Sequence, residues 1–242
     1  MTHPATFTSR AVQTEPQSAA TAPVWHTAVV LLLLAAMAAL SMRMGFVNPA
    51  AQGRHRALGY LITMASEWII VGFITLGISL RTLVGRFAFT WRAILLDLAI
   101  AVAYLLVAQV VLGISTALVG HFLHSNVNDV LKTLLPHTTL ETALYLLLAL
   151  TAGICEETIF RGYLQHQFTS WTGSAFAAIV IQGLIFGTAH AYQGLAMVIV
   201  ISIYGWMFGS LAYWRRSLCP GMTAHFLQDA IGGIVLSRML TR

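Results

Sequence analysis

The chain has 242 residues, 58% of them hydrophobic and only 9% charged, with a mean hydropathy of +0.79. Soluble domains carry about 25% charged residues, so this composition excludes an ordinary soluble fold and indicates an integral membrane protein. A net charge of +5 and a pI near 9.6 would suit a nucleic-acid binder. The thirteen Lys and Arg residues are instead scattered through short inter-helix loops, where the positive-inside rule places them, so nucleic acid is not an expected partner.

Residues 1–23 are rich in Thr, Ala, Ser, Pro and Gln without apolar periodicity, and read as a disordered extramembrane tail. The first apolar run, Trp25 to Met42, has small residues at positions 35–39 that resemble a signal-peptidase site. Its weakly basic leader and its length favour a retained helix instead. A loop with Arg43, Arg54 and Arg56 leads into the second run, Ala57 to Leu80, which holds Glu67 near its middle. The third run, Ala93 to about Gly120, carries Asp97 near its start. Both acids read as packing or access-path residues. Between His121 and Thr139 the chain is polar, with Asn126, Asn128, Asp129, Lys132 and Pro136, and reads as a loop or re-entrant piece.

Four runs follow closely: Glu141–His166, Gly173–His190, Gly194–Tyr213 and Pro220–Met239. Each is near the roughly 20 helical residues that cross a bilayer core. The expected fold is therefore an all-α polytopic transmembrane helix bundle of about seven spans, six to eight. It divides into a tail (1–23), N-terminal helices (24–139) and a C-terminal block (140–239). The loop charges leave orientation open, with six basic residues on each side and Arg161 set apart. Gly183 and Gly187, and Gly205 and Gly209, form GxxxG pairs that let helices approach closely in lipid.

The fourth run contains Gly153-Ile154-Cys155-Glu156-Glu157-Thr158-Ile159-Phe160-Arg161-Gly162. Three charges at the centre of a bilayer cost about 9 kcal/mol. The nine Leu, Ile and Phe residues between Thr142 and Gln165 return only about 4 kcal/mol. The folded protein must need those charges. Glu157 and Arg161 are four apart on one helix face, in the favourable order for an ion pair. Glu156 points about 100° away around the helix, beyond easy reach of the same guanidinium. It is left needing another partner or a proton, which suits a general acid or base.

The fifth run ends at His190, and the seventh places His225 and Asp229 four apart on one face. Ionisable groups in membrane helices face the bundle interior, so Glu156, Glu157, Arg161, His190, His225 and Asp229 should converge. Such a set can activate a water for peptide hydrolysis, with Asp229 orienting His225. It can also hold a divalent metal such as zinc, through Glu156, His190 and His225, although the H-E-x-x-H spacing is absent. A third possibility is a proton relay in a transporter. The charged motifs lie in one part of the chain, unlike the paired halves of a repeat-built transporter. Cys155, beside the glutamates, is a poor nucleophile in apolar surroundings, and with Cys219 it gives no sign of a disulfide.

Glu156-Glu157-x-x-x-Arg161, Phe186-x-x-x-His190 and His225-x-x-x-Asp229 resemble, in order, the three motifs of the CPBP intramembrane proteases. That family includes the type II CAAX prenyl endopeptidases and the Abi-type proteins linked to bacteriocin immunity. The resemblance covers roughly Glu141 to Met239. It implies a peptidase site inside the bundle, acting on a membrane-associated protein or peptide. By analogy Glu156 and His190 activate the water, His225 and Asp229 bind the oxyanion or complete the site, and Glu157 and Arg161 support it. The family has been described both as metalloproteases and as metal-independent glutamate proteases. Asp229 stands where the family often has Asn, and an ionised Asp cannot donate to an oxyanion. The compact chain resembles the bacterial branch, which implies the plasma membrane. A non-catalytic module that sequesters a partner is the alternative from another class.

Overall fold

The computed structural model describes residues 22–46, 49–85, 90–125 and 133–240. Residues 1–21 of the expected tail, Arg86, Asn126, Asn128, Asp129, Lys132 and Arg242 lie outside the described residues. Every regular element among the described residues is helical. The elements are α1 (Val24–Phe46), α2 (Pro49–Gly77), α3 (Leu80–Val84), α4 (Trp91–Leu123), α5 (Thr139–Glu156), a π-helical segment (Glu157–Leu164), α6 (Gln165–Thr172), α7 (Ala175–Ala189), a 3-10 turn (Ala191–Gln193), α8 (Leu195–Arg215) and α9 (Cys219–Leu240).

Each of the seven expected apolar runs appears as a helical rod. The main shift is that α2 begins at Pro49 rather than Ala57. Among the described residues, five stretches are long and apolar enough to cross a membrane: Val24–Arg43, Arg56–Gly77, Trp91–Leu123, Thr139–Thr172 and Leu195–Arg215. The other two rods are α7, which is apolar but shorter, and α9, whose apolar run is broken by Thr223, His225, Gln228 and Asp229.

Local chemistry sets the helix ends. The Thr90 hydroxyl accepts from the Ala93 amide at the start of α4, and the Ser174 hydroxyl from the Ala177 amide at the start of α7. At α5, Thr138 and Glu141 cap one another's backbone amides, satisfying two donors that would otherwise be unpaired. Glu141 also meets Arg56 of α2 at 3.3 Å. Gly173 ends α6 at φ 66°, a left-handed conformation that favours glycine.

The continuous rod α5–π–α6 is the centre of the molecule. All eight residues of the π segment are buried, because α2, α3, α7 and α8 pack around it. An α-helix was expected here, and the wider turn is a correction. The cause is tertiary: side chains on every side of the segment meet partners elsewhere in the bundle. The Tyr163 hydroxyl lies 2.7 Å from His26 Nδ1 and 2.9 Å from Thr27 Oγ1 on α1. Gly162 fits against the Leu83 carbonyl, where a Cβ would lie 2.9 Å from the oxygen. The Thr158 hydroxyl donates back to the Ile154 carbonyl at 2.7 Å, which loosens the regular ladder.

The GxxxG glycines serve close packing, as expected. A Cβ on Gly205 of α8 would lie 2.9 Å from the Gly183 Cα of α7. Gly153 of α5 sits against the Met222 carbonyl of α9 in the same way, at 2.9 Å. In contrast, α4 lies at the periphery, with only 11% of its span buried. It touches α8 and α9 through Ala101, Tyr104 and Ala108.

Candidate active site

The site begins with the ion pair at the middle of the central rod. Arg161 Nη1 lies 3.1 Å from Glu157 Oε1, and neither side chain is exposed. Three aromatic rings surround the guanidinium: Arg161 Cζ is 4.3 Å from the Phe186 ring centre, 5.1 Å from Phe208 and 5.8 Å from Phe160. These faces offer cation–π attraction in a place without water. Arg161 Nη2 also donates to the Gly205 carbonyl at 3.3 Å, which Gln182 shares at 2.9 Å. Gly221 at the start of α9 leaves room for Glu157, since a Cβ there would stand 3.1 Å from Oε2.

Glu157 makes a second contact, with His225 Nδ1 at 3.0 Å. A carboxylate accepts, so Nδ1 carries the proton and the ring turns Nε2 the other way. That nitrogen faces Glu156 Oε2 at 3.6 Å and Asp229 Oδ2 at 3.7 Å. His190 sits just past the end of α7, where its Nδ1 meets the Phe186 carbonyl at 2.8 Å. A carbonyl only accepts, so here too Nδ1 is the protonated nitrogen. His190 Nε2 is left facing Glu156 Oε1 at 3.9 Å. Glu156 thus stands between two imidazoles, each anchored through its far nitrogen.

The six residues expected to converge do so, drawn from α5, the π segment, the end of α7 and α9. The expected separation of Glu156 from Arg161 is present: the guanidinium meets Glu157, and Glu156 meets the histidines. Asp229 is the most open of the set, its side chain 34% exposed, and it flanks His225. Asp97 lies apart and pairs with Arg215 at 3.2 Å. Cys155 is fully buried, out of a substrate's reach.

Glu67, expected as a packing or access-path residue, is fully buried on α2, which packs against α5. Its spacing carries the signal. Tyr60, Met64, Glu67, Val71, Ile74 and Ile78 recur at helical intervals, and all six are buried.

The donors do not close on a common point in the manner of a metal centre. Among the described residues, no group of three or more His, Cys, Asp or Glu side chains is arranged to hold an ion. Glu156, His190 and His225 are suitable ligands by type, but their placement does not fit a metal.

This fold and site define a polytopic helix bundle with a buried Glu–Arg–His cluster. Residues 138–231 match the family described as Type II CAAX prenyl endopeptidase Rce1-like. Over that stretch the chain is similar to the CAAX protease family whose three motifs it resembles. It is also 32% identical over 87 residues to the Bacillus subtilis (strain 168) protein described as "Uncharacterized protein YpbD". That alignment covers 35% of this chain and 41% of the relative, so the chain spans less than half of that protein. No solved structure matches.

Proposed function

We propose that the protein is an intramembrane endopeptidase that hydrolyses a peptide bond in a membrane-associated protein or peptide. One observation carries this reading: Glu156 lies between His190 Nε2 and His225 Nε2, with both rings anchored at Nδ1. The match of this block to an endopeptidase family supports it. The long apolar helices, together with the similarity to a bacterial protein, support a bacterial plasma membrane as its location.

The 3.9 Å between Glu156 and His190 is too long for a direct hydrogen bond, and at that separation both groups can hold one water. In the proposed reaction Glu156 takes a proton from that water while its oxygen adds to the substrate carbonyl carbon. The C=O electron pair moves onto the carbonyl oxygen. His225, doubly protonated, donates Nδ1–H to Glu157 and presents Nε2–H to the new oxyanion. The proton on Glu156 then passes to the amide nitrogen, the C–N bond breaks, and acid and amine leave. Glu157 and Arg161 hold His225 in place, and Asp229, an acceptor when ionised, orients it rather than binding the oxyanion. We infer the glutamate type of chemistry from the spread of the donors. Cleavage by purified protein is therefore expected to survive a strong chelator, and its loss, restored by zinc, would show the metallo type.

The decisive experiment compares membrane peptides in cells carrying wild-type, Glu156→Gln or His190→Ala protein, with insertion and fold checked in each. A peptide cut only in wild-type cells is the expected result. Cleavage that persists in both folded variants would refute the reading and favour a partner-sequestering module.

A further inference from the structure

Helices α4 and α8 are both long and apolar enough to cross a membrane, and they meet without closing on one another. Between them runs a groove of about 660 Å³, lined by Ile100, Tyr104 and Val107 on one side and by Ile203, Met207 and Trp214 on the other. None of its lining residues is charged. It opens towards lipid, since Val107 and Trp214 are both exposed.

The length of the groove and the chemistry at its end point to an occupant. From Ile203 to Trp214 is eleven residue steps, or about 16 Å of helix. That is about half of the hydrocarbon core of a bilayer, so the groove spans one leaflet. At the Trp214 end, Arg215 meets Asp97 at 3.2 Å and ties the last turn of α8 to the start of α4. Trp91, Tyr213 and Trp214 are exposed here, as aromatic residues are at the headgroup level.

That level is basic. Arg215 Cζ lies 5.5 Å from the Trp214 ring centre, and Arg92 Cζ lies 5.4 Å from that of Trp91. Arg216 follows on the turn and is exposed. Backbone pairing of Gly85 with Ser217 brings α3, and with it Arg81, to the same membrane face. Four arginines thus share this face with one acid among the described residues, Asp97. An apolar slot one leaflet deep, ending in an excess of cations, matches a phospholipid with an anionic headgroup.

We propose that this groove binds one anionic phospholipid, with an acyl chain between α4 and α8 and the phosphate against Arg92, Arg215 and Arg216. The chain supplies apolar burial, and the arginines supply selectivity for charge. Bound lipid would fasten α4, the least buried of the five long spans, to the bundle. The groove shares no lining residue with the candidate active site, so the proposal stands whether or not the protein cuts peptides.

The test is native mass spectrometry of the full chain in a neutral detergent, with phosphatidylglycerol and phosphatidylcholine of matched chains as probes. Wild-type protein is expected to retain one phosphatidylglycerol, with a preference of about 10-fold or more over phosphatidylcholine. The double variant Arg92→Gln, Arg216→Gln is expected to weaken phosphatidylglycerol about 20-fold, at about 5-fold per arginine, and to leave phosphatidylcholine unchanged. Ala103→Trp and Ser210→Phe each fill the groove from an exposed position. Both are expected to lose the bound lipid while keeping the wild-type melting temperature in lipid-free detergent. Equal retention of the two lipids by wild type overturns the proposal, as does full phosphatidylglycerol binding in a folded groove-filled variant. A dimer that the groove-filling changes dissociate would place a second copy of the chain there, and overturns it equally.

Discussion

Arg161 shows how one residue holds the site together. It is among the largest fully buried side chains in the molecule, and it neutralises Glu157, which in turn fixes the His225 ring. Removing one member of a buried pair leaves the other charge uncompensated, at a cost of about 3–5 kcal/mol. Arg161→Ala is therefore expected to lower folded yield and melting temperature in detergent. Adding Glu157→Gln should recover part of the loss, and a double-mutant cycle on the two would measure the coupling. Normal yield of the single variant would contradict the assignment. Arg161→Lys is not expected to rescue, because an ammonium cannot both stack between Phe186 and Phe208 and reach the Gly205 carbonyl. The pair itself was legible in the chain, since four-residue spacing with the acid first is a local rule. That His225 would bridge it to Glu156 was legible only as convergence, because no local rule fixes the turn of α9 against α5.

At the scale of elements, hydropathy revealed the rods because a bilayer imposes a length on any helix that crosses it. It revealed nothing of the π segment, whose wide turn answers to contacts with four other helices. Two predictions belong here. Tyr163→Phe removes the hydroxyl that His26 and Thr27 share, leaving buried polar groups unpaired. A loss of about 1–3 kcal/mol is expected in equilibrium unfolding. Gly205→Val would force α7 and α8 apart where Gly205 packs on Gly183 and move the carbonyl that Arg161 and Gln182 use. Overpacking costs about 1–3 kcal/mol. This variant is expected to lose activity beyond what its melting temperature explains, a difference that cleavage assays on the folded fraction would expose.

For the molecule as a whole, the motif-bearing block packs against the N-terminal helices in a shared core. The N-terminal helices showed no motif in the sequence, because what they supply is packing and hydrogen bonding. The Gln167 side chain donates to the Ala22 carbonyl at 2.9 Å and to Thr27 Oγ1 at 2.8 Å. Ile70, Val71 and Ile74 of α2, with Ile78 just past its end, share one core with Ile159, Phe160 and Tyr163. A fragment holding only residues 138–242 is therefore expected to express poorly and to aggregate in mild detergent. Co-expression with residues 1–125 is expected to restore a stable particle on size-exclusion chromatography.

The dependence of the π segment on α1 and α2 also has a consequence for how the chain is made. A membrane protein is threaded into the bilayer in order, so α1 and α2 are in place before the Glu–Glu helix leaves the ribosome. The faces that will receive Tyr163 and Gln167 are already waiting beside the insertion site. The charged helix then need not partition into lipid on its own hydrophobicity, which falls short of its three charges by about 5 kcal/mol. In a reporter of membrane insertion, this helix alone is expected to be rejected, and the same helix behind α1 to α4 is expected to be retained. Chain order here acts as a chaperone: the half without motifs comes first because the half with the chemistry cannot enter the membrane unaided.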